Sequence, residues 1–264
     1  MNVVDRYSGK ALAYARRWEY SAEAIQALVI ECGLSENSIV ADIGSGTGMV
    51  TRHFVDRVRT VYAVEPNSGM RNIATNALSS YGSYQSVSGF ADATTLPDNS
   101  VHMITVGRAL HWFPAESTRA EFCRILAPGG WLAVLSVKCT DQALLDSLKP
   151  VYVEENGWQP AVDKAQRHVV PLNFYFGHDN FRKLAVPGSV HESWEDFLTR
   201  ISSFAAAPEP CHSRRSNFER ALRAVFDERA VNGVLAVPNA TEVTFGRPTR
   251  PCWMDRQRPS DSGW

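Results

Sequence analysis

The stretch Ile39-Val40-Ala41-Asp42-Ile43-Gly44-Ser45-Gly46-Thr47-Gly48 decides how the rest of the chain is read. An apolar run that ends in alternating glycines predicts a buried parallel strand, a tight turn and then a helix. Glycine at Gly44, Gly46 and Gly48 lets the backbone take positive φ and lie against a ligand, with free N–H groups facing it. The spacing narrows the ligand. A dinucleotide fingerprint needs G-x-G-x-x-G around a pyrophosphate, whereas Met49 stands where that third glycine would be. Asp42 would repel a pyrophosphate and suits an ammonium group. Thr60-Val61-Tyr62-Ala63-Val64 predicts a second strand ending in Glu65, about 20 residues after the turn, where an acid commonly grips a ribose diol. Two acids around a glycine turn favour a cationic nucleoside over a diphosphate, which disfavours a nicotinamide-dependent oxidoreductase.

The 264 residues, 44% hydrophobic and 21% charged, suffice for one large α/β domain with an insertion or a small cap. A formal net charge of -1 sets up no field for nucleic acid or an anionic membrane. The first residues, Met1 to Arg6, lack the apolar region of a signal peptide, and no apolar stretch approaches membrane-spanning length. The expectation is a cytoplasmic enzyme with neither nucleic-acid nor membrane partners; oligomeric state is not legible. Five scattered cysteines without a C-x-x-C pair predict reduced, structural thiols and no zinc. The histidines show no metal spacing, so no metal is expected.

Three further stretches follow the turn in order: Glu65-Pro66-Asn67-Ser68-Gly69-Met70, Ala109-Leu110-His111-Trp112-Phe113, and Arg124-Ile125-Leu126-Ala127-Pro128-Gly129-Gly130. With them the chain resembles the class I S-adenosylmethionine (SAM) dependent methyltransferases, and more narrowly the type 11 small-molecule branch. The resemblance is tight from Ile39 to Val137 and extends more loosely from Asp5 to about Pro248. It implies an α/β fold with a Rossmann-like, seven-stranded, doubly wound sheet and a helical substrate cap. It also implies SAM as cofactor and methyl transfer to an oxygen, nitrogen or carbon of a small organic acceptor, with specialised metabolism as the setting. Two alternatives keep the fold and change the function, one a non-methylating rearrangement or cyclisation and the other a non-catalytic SAM-binding partner protein.

The resemblance also assigns residues. Asp42, Gly44, Ser45, Gly46 and Gly48 would hold the amino-acid end of SAM, Glu65 and Pro66 the ribose side, and Met70 one adenine face; Met70 reads equally as a core residue of its helix. The segment Phe90-Ala91-Asp92 aligns with the family's adenine-binding G-D-A-E segment but departs from it, because Phe90 stands where the acid usually is. Adenine recognition then rests on the Ala91 backbone with Asp92 or Phe90. Gly107 closes the fourth strand, Val101 to Val106, as a cofactor contact. In the loop beyond it Arg108, His111 and Trp112 are expected at the acceptor, since ligands of open α/β sheets bind past the carboxyl ends of the strands. His111 is the candidate general base, because histidine titrates near neutral pH; the rival reading is that it only orients the loop. His102, on the strand itself, reads as structural. Tyr7 and Tyr14, on an amino-terminal helical lid, are candidates for cofactor and acceptor contacts respectively, or for packing at the rim.

The organisation expected is a lid over 1–34, a SAM-binding core over 35–140, a cap over 141–232, a last core strand over 233–248 and a flexible tail over 249–264. Within it, Met49 to Arg57 predicts a short helix, Ser86 to Gly89 a weak third strand, Arg119 to Leu126 a helix and Trp131 to Ser136 a fifth strand. Beyond Cys139 the pattern is irregular and rich in aromatics, which suit an acceptor pocket or, with more weight, the core of a cap.

Overall fold

The computed structural model describes residues 17–153, 170–204 and 207–249. Its elements in chain order are α1 (Ala22–Glu31), β1 (Ile39–Ile43), β2 (Thr60–Val64), α2 (Ser68–Leu78), β3 (Tyr84–Val87), β4 (Val101–Gly107), α3 (Ala115–Ile125), β5 (Leu126–Cys139), α4 (Gln142–Val153), α5 (Leu172–Phe176), β6 (Arg182–Glu192), α6 (Trp194–Ser202), α7 (Arg215–Arg229) and β7 (Leu235–Gly246). The strands form one seven-stranded sheet in the order β3-β2-β1-β4-β5-β7-β6. This is the Rossmann-like architecture expected, with β1 parallel to β2 and β4, β2 parallel to β3, and β4 parallel to β5. Near-continuous apolar residues make β1 and β4 buried centre strands, as a parallel sheet covered on both faces requires. No helix among the described residues is long and apolar enough to cross a membrane.

The described residues divide into two compact units, one of residues 28–135, 170–183 and 243–249, the other of residues 17–27, 136–153, 184–204 and 207–242. The first holds the glycine turn. Its core includes Ile43, Val64, Val106, Phe122, Leu132 and Phe176. The second is built on α4, α6 and α7, whose apolar faces meet through Leu144, Phe197, Ile201, Phe218, Leu222 and Phe226. At its centre Arg200 and Glu192, both nearly inaccessible to solvent, form a two-pronged ion pair at 2.6 and 2.8 Å. The Trp18 indole N–H donates to the same carboxylate at 2.8 Å, and the Trp18 ring lies 4.2 Å from the guanidinium carbon. A charge so far from water persists only when paired and hydrogen-bonded in this way.

Several local expectations need correction. Residues 49–57 do not form an α-helix; one 3-10 turn, Thr51–His53, lies among turns. The sequence there is dense in β-branched residues, and the Thr51 hydroxyl is drawn to Asp42. The third strand is Tyr84–Val87, two residues earlier than expected, and the following helix starts at Ala115 directly behind Pro114. The Pro128-Gly129-Gly130 turn lies inside β5 as a bulge: Val101 pairs with Leu126 but Met103 with Trp131. A side chain at Gly130 would meet the Ala127 carbonyl oxygen and Leu126 at 2.9 Å, so only glycine closes that bulge. The region after Cys139 is regular, containing α4, α6, α7 and two sheet strands. Its aromatics are core residues of the two units: Tyr175 and Phe176 in the glycine-turn unit, Phe197 in the helical one. Tyr7, Tyr14, Trp158 and the tail beyond Thr249 lie outside the described residues.

Candidate active site

Parallel pairing brings the carboxyl ends of β2, β1 and β4 side by side, because Ile43 sits opposite Val64 and Asp42 opposite Thr105. The glycine turn leaves β1 and hangs from β2: the Gly44 and Ser45 N–H groups both donate to the Val64 carbonyl, at 2.8 and 3.1 Å. Gly44, Gly46 and Gly48 have φ of +67°, +57° and +82°, the left-handed conformation that only glycine takes without strain. Two of the three are also crowded. A Cβ at Gly44 would lie 2.8 Å from Ala109 and 2.9 Å from Phe113, and one at Gly48 2.9 Å from Leu78. The loop after β4 and α2 therefore pack directly onto the bare backbone of the turn.

Two acids flank it. Asp42 is fully buried; the Thr51 hydroxyl donates to Oδ2 at 2.6 Å and the Thr105 hydroxyl to Oδ1 at 3.0 Å. Burial pushes its carboxyl up to about 6 from the usual 3.8, against the pull of those hydrogen bonds. Its oxygens are thus taken by neutral hydroxyls, and its effect on a cation is exerted through space. Glu65 accepts the Gly46 N–H at 3.0 Å and the Asn67 N–H at 2.9 Å, and burial raises its carboxyl as well. Each carboxylate oxygen still has acceptor capacity for a further donor. Pro66 passes the chain to Asn67, whose side chain caps α2 by accepting the Met70 N–H at 3.0 Å, and Met70 is buried beneath.

On the neighbouring segment the Phe90 and Ala93 backbones bond each other in a tight bridge, leaving the Phe90 ring 53% exposed and Ala91 buried. Asp92 accepts the Ser117 hydroxyl at 3.0 Å. The segment is bolted down at Thr94, whose N–H and hydroxyl both donate to Glu121 Oε1. Burial pushes the Glu121 carboxyl up, but the Arg124 and Thr94 donors outweigh it and hold the carboxyl below its ordinary range. Thr95 takes φ +65°, strained for a β-branched residue and held there by these bonds. Thr94→Val is expected to cost about 1–2 kcal/mol, since it removes one bond to a buried charge. Urea unfolding with an unchanged m-value checks this; a loss below about 0.3 kcal/mol would mean the bolt carries nothing.

Beyond β4, Gly107 leads to Arg108, a second non-glycine residue at positive φ, +56°, whose N–H donates to the Leu135 carbonyl. Leu110–Trp112 is a 3-10 turn in which the His111 and Trp112 rings lie 4.7 Å apart, both half-buried. His102 is structural, as expected: its Nδ1 accepts the Ile39 N–H at 3.0 Å. Sequence reasoning missed the hydroxyls. Thr51, Thr105 and Thr94 hold the acids in place, and Thr47, inside the turn, has a buried hydroxyl with no partner among the described residues. No group of histidine, cysteine, aspartate and glutamate among the described residues could hold a metal ion.

Comparison with known proteins agrees with this geometry. Residues 41–134 match the family Methyltransf_11, described as "Methyltransferase domain". An uncharacterized methyltransferase of Mycobacterium tuberculosis is 36% identical over 126 residues, 47% of this chain and 48% of that one. A ubiquinone/menaquinone biosynthesis C-methyltransferase of Hydrogenovibrio crunogenus is 31% identical over 121 residues, 43% of this chain and 47% of that one. The aligned part thus spans about half the length of these curated relatives. Among solved structures, a candidate type II methyltransferase of Anaeromyxobacter dehalogenans superposes with TM-score 0.59 at 20% identity, covering 88% of this chain and 99% of that one. With strand order, glycine turn and flanking acids all in place, residues 41–134 match the methyltransferase-domain family in sequence and lie on a Rossmann-like sheet.

Proposed function

We propose that the chain binds SAM on the glycine turn and transfers its methyl group to oxygen, nitrogen or carbon of a small organic acceptor. The carrying observation is the turn itself: three glycines at positive φ between two buried acids on adjacent strand ends. The residues fit the cofactor. Asp42 supplies negative potential for the ammonium and sulfonium charges, and Glu65 retains acceptor capacity for ribose hydroxyls. Thr47 offers an orphaned hydroxyl at the turn, and the exposed Phe90 ring supplies an apolar face for a heterocycle. SAM would supply a methyl carbon already activated by positive sulfur, so the protein chiefly aligns the reactants and excludes water. The loop with Arg108, His111 and Trp112 is the acceptor side of this reading, with His111 taking a proton where the acceptor must lose one. The likeness to a quinone C-methyltransferase supports carbon as one of the attacking atoms. Free thiols at Cys32, Cys123, Cys139 and Cys211 support a reducing, cytoplasmic setting.

Calorimetric titration with SAM, S-adenosylhomocysteine and NAD tests the reading. Saturable binding of the first two without the third is the expected result; NAD binding alone would overturn it. His111→Ala is expected to lower kcat by about tenfold to a hundredfold while leaving SAM affinity within about twofold. A variant that keeps its rate at saturating SAM but loses cofactor affinity would make His111 a binding residue instead.

A further inference from the structure

The acid beside the glycine turn is a buried charge that the chain supplies with neutral partners. Asp42 is 1% exposed and stands opposite Thr105 in the parallel register of β1 and β4. Residues in register on neighbouring strands point to one face of the sheet, so the Thr105 hydroxyl meets Oδ1, at 3.0 Å. The Thr51 hydroxyl, from the 3-10 turn beyond the glycines, meets Oδ2 at 2.6 Å, and the Thr51 N–H adds a third donor. Both threonines are wholly buried, so water cannot stand in for either hydroxyl. Among the described residues no cationic side chain acts on Asp42. The charged group that does, Glu65 at the end of β2, is an acid and opposes its ionisation. A carboxylate so placed stays charged only as far as its donors favour the anion over the acid. The two hydroxyls therefore decide over what pH range the turn carries its charge.

We propose that Thr51 and Thr105 are positioning residues for the cofactor's cation: they hold Asp42 in its charged form and so set the pH below which the turn releases the cofactor. The inference rests on the reading of the turn as a SAM site. Neither threonine acts on the cofactor directly; each acts through Asp42. With both hydroxyls in place burial still pushes the Asp42 carboxyl up to about 6, and the loss of either hydroxyl raises it further. Cofactor affinity then falls as pH drops through about 6 in wild type, and falls at a higher pH where one hydroxyl is missing.

Two readouts on the full chain test this. The first follows the Asp42 carboxyl by NMR in ligand-free protein isotopically labelled at its aspartate carboxyl carbons, the signal being assigned by its loss in Asp42→Asn; Glu65 is silent in that spectrum. Thr105→Val is expected to raise the Asp42 midpoint by about one pH unit, the order of one bond to a charged acceptor, and Thr105→Ser to restore it. The second is calorimetric titration with S-adenosylhomocysteine, whose ammonium is the cation, from pH 5 to pH 8. Thr105→Val should bind it about fourfold more weakly than wild type at pH 6 and within about twofold of wild type at pH 8. Thr51→Val, which strips the other oxygen, repeats both measurements should Thr105→Val fail to fold. An unchanged Asp42 midpoint in a folded valine variant overturns the inference and leaves the reading of the turn standing. So does an affinity loss equal at pH 6 and pH 8, or a wild-type affinity that falls no more steeply below pH 6 than that of Asp42→Asn. Wild type that binds no S-adenosylhomocysteine at any pH overturns the reading of the turn itself, and the inference with it.

Discussion

Gly44→Val is expected to abolish the proposed SAM binding, with no saturation at about a thousandfold the wild-type Kd. Two effects combine at this position. Valine at φ +67° is strained by the backbone alone, on the order of 1–3 kcal/mol. Its Cβ would also sit 2.8 Å from Ala109 and 2.9 Å from Phe113, both on the loop after β4. Relief requires that loop to lift away or the turn to change conformation, and either breaks the bonds from the Gly44 and Ser45 N–H groups to the Val64 carbonyl that shape the turn. Gly46→Val, at φ +57° with its N–H held by Glu65, should behave alike. Gly82→Ala is the control, because nothing lies within 4 Å of an added Cβ there. Calorimetry with a circular-dichroism melt decides the matter. Normal SAM binding by a folded Gly44→Val protein would remove the turn from the cofactor site.

Asp42→Asn is expected to make the ligand-free protein more stable at pH 7.5 and to weaken the proposed SAM binding by about tenfold or more. The sign follows from the raised carboxyl. A folded pKa of about 6 against an ordinary 3.8 means that the folded protein holds a proton the unfolded chain has released between those values. Stability therefore falls as pH rises from about 4 to about 6, by on the order of 3 kcal/mol from this group, and stays lower above pH 6. Asparagine keeps the shape and can bond both threonine hydroxyls, which rotate to suit. It removes the buried charge, and with it the potential that suits a cation. Urea melts across pH 4 to 8 should show a steeper decline for wild type than for the variant, whose remaining slope combines Glu65, raised and of the same sign, with Glu121 and His53, both lowered and of the opposite sign. A variant whose stability falls with pH as steeply as wild type over that window would contradict the assignment. Asp42→Ala is the harsher change, since it strips two buried hydroxyls, Thr51 and Thr105, of their shared acceptor.

The central strands and the turn were legible because their signals are local: β1 and β4 are unbroken apolar runs, and the glycines that follow β1 have few physical uses. Glu65 was legible from its distance to the turn. The partners of these acids were not. Thr105 lies 63 residues from Asp42 and Glu121 lies 27 from Thr94, so strand register brings the first pair together and the packing of α3 the second. The second half was misread as irregular partly because β6 contains Pro187 and Gly188, which argue against a central strand. Its place at the sheet edge resolves the conflict, since an edge strand tolerates both. The 49–57 helix was overpredicted because the pattern of apolar residues hid the hydroxyl that Thr51 commits to Asp42.

The strand order also sets a timetable for the chain as it is made. Among the described strands β6 touches the sheet only through β7, which is synthesised after it. Until Leu235–Gly246 leaves the ribosome, β6 has no neighbour and β5 presents an open edge, the arrangement that recruits foreign strands. The nascent protein can set its glycine turn early, since β1, β2 and β4 are complete by Gly107. It must then keep the edge of β5 solvated from Cys139, and β6 from Glu192, until Leu235–Gly246 follows, with Lys183 and Pro187 on β6 as its deterrents against aggregation.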